Sequence, residues 1–185
     1  MRRCFRFFRQ AAVVATILIV AEAPAPAFSI TFNIQADGVK EVSTGGVPGQ
    51  GDLDGTAIGT LKLDNGTGSG TTGSATFSIT LTNIDLTTLS GHHIHNAPAT
   101  TTGSIVLDFG DPDTIRSGAV LSGTITGLSA TQITTILTTP SSFYYNIHNN
   151  SFPGGAVRDQ LTIPEPGAAA LAGIPALALL LRRRR

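Results

Sequence analysis

Thiols are almost absent from this chain. Its single cysteine, Cys4, lies in an arginine-rich start, so once that start is removed no disulfide and no thiolate metal site can form. Basic residues are scarce in the body as well. Between Phe28 and Pro166 there are four (Lys40, Lys62, Arg116, Arg158) against eleven acidic residues, a balance of about −7. That excludes nucleic acid as a partner, because neutralising phosphates takes clustered Lys and Arg. No Gly-x-Ser-x-Gly elbow, phosphate loop or complete calcium loop occurs. Asp52 and Asp54 lie in a glycine-rich stretch and read as a solvated loop.

The basic residues that do exist are placed at the two ends. Arg2, Arg3, Arg6 and Arg9 precede an apolar stretch at 11–21 and a small-residue site, Ala25-Pro26-Ala27. This order reads as a secretory signal covering 1–27, with cleavage by signal peptidase after Ala27. Eleven apolar residues are too few to span a bilayer, which takes about 20. At the other end, Pro164-Glu165-Pro166 is followed by fifteen uncharged residues (167–181) and four arginines. A helix of that length reaches about 22 Å, so it would serve as a short transmembrane helix with its arginines held in the cytoplasm.

From Phe28 onward, short apolar–polar alternation is broken by glycine and by Asn-Gly or Asp-Gly turns, the pattern of an antiparallel β domain. Strands are predicted from residue 28 (Phe28, Ile30, Phe32, Ile34 on one face) and over 56–63, 75–84, 104–109, 119–128, 144–148 and 156–163, with a turn at 110–113. One short helix is expected over 129–139. Ser129 and Gln132 have capping-box spacing, Ile133, Ile136 and Leu137 share a face, and Pro140 ends it. Seven or eight strands with one helix predict an all-β Greek-key sandwich or barrel over 28–163.

All four histidines fall in two short pieces, Gly91-His92-His93-Ile94-His95 and Tyr144-Tyr145-Asn146-Ile147-His148. Side chains alternate along a strand. With Ile94 and Ile147 inward, His93, His95 and His148 face the other way, together with Tyr144 and Asn146, and His93 and His95 are about 7 Å apart along the backbone. If the two strands are neighbours, three imidazoles converge and are able to hold copper or zinc with an open fourth position. Alternatively they hydrogen-bond to one another, to Tyr144 or to loop backbone and fix the strand register. His92 takes the position of an inward aromatic or of a rim residue. Asp108 is a candidate partner for an imidazole, with its orientation undetermined.

Two resemblances join these features. The tail resembles the PEP-CTERM sorting signal of Gram-negative bacteria, which implies an exosortase-type sorting protease, transient anchoring in the inner membrane and delivery to the periplasm, cell surface or extracellular matrix. The body, about 31–163, resembles a CHRD domain through Gly38 to Val42 with Glu41, His93-Ile94-His95, and Tyr145-Asn146-Ile147-His148 followed by Pro153-Gly154-Gly155-Ala156-Val157-Arg158. Ala156 and Asp159 depart from the family pattern, which has an acid and a glycine there. The CHRD domain is in turn similar to the Cu/Zn superoxide dismutase sandwich. That likeness implies that His93, His95 and His148 stand at copper-ligand positions and Arg158 at that of the anion-guiding arginine, while the bridging histidine, the zinc loop and the cysteine pair are missing. The combined expectation is an exported, noncatalytic binding or structural module whose partner is a matrix polysaccharide or protein. The alternative is a three-histidine metal protein, dismutase-like in its extreme form.

Overall fold

The computed structural model describes residues 28–66 and 72–163. Ala27, Pro164, Glu165 and Pro166, with both end signals, lie outside the described residues. Nine strands form one antiparallel sheet: β1 (Ser29–Asp37), β2 (Thr56–Asp64), β3 (Gly73–Thr82), β4 (Leu89–Asn96), β5 (Ser104–Asp108), β6 (Arg116–Ser117), β7 (Val120–Leu128), β8 (Phe143–Asn149) and β9 (Val157–Gln160). Their order is β5-β4-β8-β9-β1-β2-β3-β7-β6. The link between β9 and β1 is a single pair, Asp37 with Arg158, whereas β1 and β2 pair along their full nine residues.

Across that narrow seam the sheet folds back on itself. Phe77 of β3 meets His92 of β4 edge-on, ring centroids 4.8 Å apart, although five strand steps separate them in the sheet. The two halves therefore face each other as layers, as the all-β sandwich expectation required. Alternation drives the closure. Phe32, Ile34 and Ala36 of β1, Leu61 and Leu63 of β2, and Ala75, Phe77, Ile79 and Leu81 of β3 are buried on one face, and Thr31, Asn33, Gln35, Thr76 and Ser78 are exposed on the other. Gly59 is needed in β2 because a Cβ there would lie 2.0 Å from the Ser78 carbonyl oxygen.

Helices differ slightly from expectation. The predicted helix is present as α2 (Ala130–Thr138), with the Ser129 side chain accepting from the Gln132 N–H and Ile133, Ile136 and Leu137 buried. The stretch predicted as a turn contains a second, one-turn helix, α1 (Pro112–Ile115). Asp111 accepts from the Asp113 N–H at its start and Pro112 opens it, an arrangement favoured because a first-turn proline has no N–H to leave unsatisfied. The last strand is shorter than the predicted 156–163, and β6 adds a two-residue ninth strand.

His92 resolves as a core residue, not a rim one. It is fully buried between Phe77, Phe109 and Tyr145, and neither ring nitrogen has a hydrogen-bond partner among the described residues. Burial, with help from neighbouring His93, pushes its pKa down to about 3. Unfolded, the same ring binds a proton below about 6.5, so stability falls as pH drops from 6.5 toward 3, by up to about 1.4 kcal/mol per unit from this residue. His92→Phe should therefore be tolerated near neutrality, within ~1.5 kcal/mol, and become progressively more stable than the parent on acidification. Urea unfolding measured at several pH values checks both the sign and the slope.

Candidate metal centre

Pairing of β4 with β8 sets Gly91 opposite His148, His93 opposite Asn146 and His95 opposite Tyr144. These six residues share the face turned away from the apolar core, as parity predicts. The three imidazoles converge. Ring centroids lie 5.6 Å (93 to 95), 5.1 Å (93 to 148) and 5.3 Å (95 to 148) apart, and one nitrogen from each falls within 4.8 Å of the others. Gly91 makes room for them, since a Cβ there would stand 2.4 Å from His93 Cε1 and 3.2 Å from His148 Cδ2.

This face is not open surface. Every residue of β8 is buried, because loops at 97–103 and 150–155 cover the side that strand alternation leaves outward. His95 Nδ1 lies 2.9 Å from the Gly103 carbonyl oxygen, and His148 Nδ1 lies 3.1 Å from that of Pro153. A carbonyl oxygen only accepts, so both rings carry hydrogen on Nδ1. In the neutral ring, Nε2 is then a bare lone pair. Burial holds all three rings below the usual imidazole value, with His148 down at about 4, which favours the neutral form. Yet the Nε2 atoms of His95 and His148 face each other at 3.2 Å. Two lone pairs at that distance repel unless a cation lies between or beside them. Two tetrahedral zinc ligands at 2.0–2.1 Å stand about 3.3 Å apart, so the observed spacing matches one edge of such a site.

His93 is the third residue that could offer a nitrogen. Its Nε2 is turned to Asp108 Oδ1 at 3.6 Å, while its buried Nδ1 has no partner among the described residues. Asp108 thus lies beside an imidazole, paired with His93 across β4 and β5. A carboxylate behind a ligating ring orients it and raises its basicity. A cleft of about 420 Å³ opens onto all three rings and onto Thr44, Ser90 and Tyr144.

Arg158 stands where the dismutase likeness implied an anion guide. It shares the histidine face but is only 1% exposed. Its guanidinium stacks over the Tyr144 ring, 3.5 Å from the centroid, and donates to the carbonyls of Thr101 (2.9 Å) and Pro98 (2.8 Å) and to Gln160 Oε1. These bonds tie the 97–103 loop to the sheet. Gln160 assists by donating to the Ala97 carbonyl, a role visible in sequence only through its parity with Arg158. The carbonyls of Gly103 and Pro153 left no sequence signal at all, being backbone groups.

Glu41, named in the sequence without a role, is buried beside the cluster. Its Oε2 accepts from Asn146 Nδ2 at 2.9 Å and its Oε1 from the Val42 N–H, and burial raises its pKa. Gly155 seals the pair: its φ is +139°, and a Cβ would come within 2.3 Å of Glu41 Oε2. This gives the Pro-Gly-Gly motif a packing reason.

Comparison with known proteins adds one finding. The family profile described as CHRD domain matches residues 32–161, the whole of the described sandwich apart from its edges. No curated protein and no solved structure matches the chain.

Crowding at Gly91 is directly testable. Gly91→Ala should cost about 1–3 kcal/mol, because the His93 ring must swing aside. Gly154→Ala, where an added Cβ meets nothing within 4 Å, should stay within about 0.5 kcal/mol. Chemical denaturation of the two variants beside the parent distinguishes a filled pocket from general loop sensitivity.

Proposed function

This chain belongs to the CHRD domain family, and we propose that it works as an exported, noncatalytic binding module carrying one zinc or copper ion on His93, His95 and His148. The observation that carries this reading is the pair of Nε2 atoms facing each other at 3.2 Å, each ring locked by its other nitrogen onto a backbone carbonyl. In the proposed site, an ion would accept Nε2 from His95 and His148 and Nδ1 from His93, with the fourth position toward the cleft. Imidazole suits zinc and copper alike.

Export supports the setting. The arginine-rich start, the small-residue site ending at Ala27, and the order Pro164-Glu165-Pro166, apolar stretch, arginines favour secretion, sorting by an exosortase-type protease and residence at the cell envelope or in its matrix, where a polysaccharide or protein would be the partner. No helix among the described residues is long and apolar enough to cross a membrane. The dismutase-like alternative takes its anion guide from Arg158, and the commitment of that side chain to loop carbonyls favours binding over turnover.

Elemental analysis and titration calorimetry on the purified protein should find one ion per chain, lost in His95→Ala and in His148→Ala and retained in His92→Phe. Because burial keeps the three rings below the ordinary imidazole value of 6.5, affinity should be flat across neutral pH and weaken as protons compete on acidification. No ion at micromolar supply, with the alanine variants merely less stable, would instead make the three rings loop anchors.

A further inference from the structure

Tyr144 belongs to the same face as the imidazoles but offers no nitrogen to an ion. Its ring lies parallel to that of His95, interplanar angle 10° and centroids 4.9 Å apart, and the other side of the ring is capped by the Arg158 guanidinium. The hydroxyl reaches Gly103, accepting from its N–H at 3.3 Å. The carbonyl of that same glycine receives His95 Nδ1–H. A closed circuit results, in which His95 is bonded to Gly103, Gly103 to Tyr144, and Tyr144 is stacked back on His95. Only glycine fits at its corner, because a Cβ at 103 would lie 1.8 Å from the Asn96 carbonyl oxygen.

We infer that Tyr144 is the positioning residue of the metal centre, setting which nitrogen of His95 is presented to the ion. The inference rests on the metal reading given above. The stack fixes the plane of the ring, and the hydroxyl holds the glycine whose carbonyl receives the hydrogen. Arg158 acts one step further out, holding Tyr144 from behind while its carbonyl partners at 98 and 101 hold the loop that carries Gly103. His148 has no such tyrosine stack among the described residues, its Nδ1 being held by the Pro153 carbonyl, so the two ligands are held to different degrees.

Tyr144→Phe keeps the stack and removes the hydroxyl. Tyr145→Phe is the control, since its hydroxyl is buried without a partner among the described residues and points to the opposite, apolar face. Zinc affinity is measured by chelator competition on the full chain, melting is followed in excess chelator, and the His95 tautomer is read from ¹⁵N chemical shifts. Removing a group that orients a ligand typically costs 10–100-fold in affinity. Tyr144→Phe should lose about tenfold, with an altered His95 signal and a fall in the chelator melt no larger than one lost hydrogen bond accounts for, and Tyr145→Phe should bind as the parent does. Parent-like affinity in Tyr144→Phe overturns the inference and leaves the metal site standing. A loss matched by an equal fall in the chelator melt also overturns it, reducing Tyr144 to packing. Absence of zinc from the parent itself removes both this inference and the reading beneath it.

Discussion

Two backbone carbonyls govern the chemistry of this molecule. Gly103 and Pro153 each receive an Nδ1 hydrogen, and in the neutral rings that burial favours this assignment sets the direction of the free lone pairs. Were just one of the two hydrogens on Nε2 instead, that ring would donate to the other and the pair would be an ordinary satisfied contact. The net worth of a single hydrogen bond, about 0.5–1.5 kcal/mol, understates the effect, because the bond here decides which atom is left bare.

The sandwich contains two interiors of unlike kind. One is apolar and conventional, built from alternating residues of both half-sheets. The other lies on the reverse of β4, β8 and β9 and is polar: three imidazoles, Tyr144, Asn146, Glu41, Arg158 and Gln160 under two loops. Buried polar groups are costly unless partnered, and nearly every atom in this layer does find a partner. The exceptions are informative. His93 Nδ1 and Asn146 Oδ1 remain without one among the described residues, and the first of these belongs to the three-imidazole cluster. The raised pKa of Glu41 and the lowered pKa values of the three clustered histidines share their largest cause, burial.

Much of this was legible in the residues. Period-two alternation gave the strands around Phe32, Phe77 and Ile79, capping chemistry gave the helix after Ser129, and parity alone put His93, His95 and His148 on one face. What parity could not give was depth. A strand pattern says which way a side chain turns but not whether a loop lies over it, so residues expected toward solvent turned out buried. For the same reason the contacts of Arg158 are not legible locally: its guanidinium meets carbonyls 57 and 60 residues away in sequence, a distance no local pattern encodes. The one-turn helix at Pro112 was hidden because Asp-Pro suits a turn and a helix start equally well.

The seam between the half-sheets has a mechanical corollary. β9 is the last strand described, and its only ladder contact with the far half is Asp37 with Arg158, whereas it is stitched to β8 from Tyr144 to Ile147. Tension applied to the chain beyond residue 163 would therefore be borne mainly by the strand that carries Tyr144 and His148. A tether at that end would load the histidine face before it loaded the apolar layer.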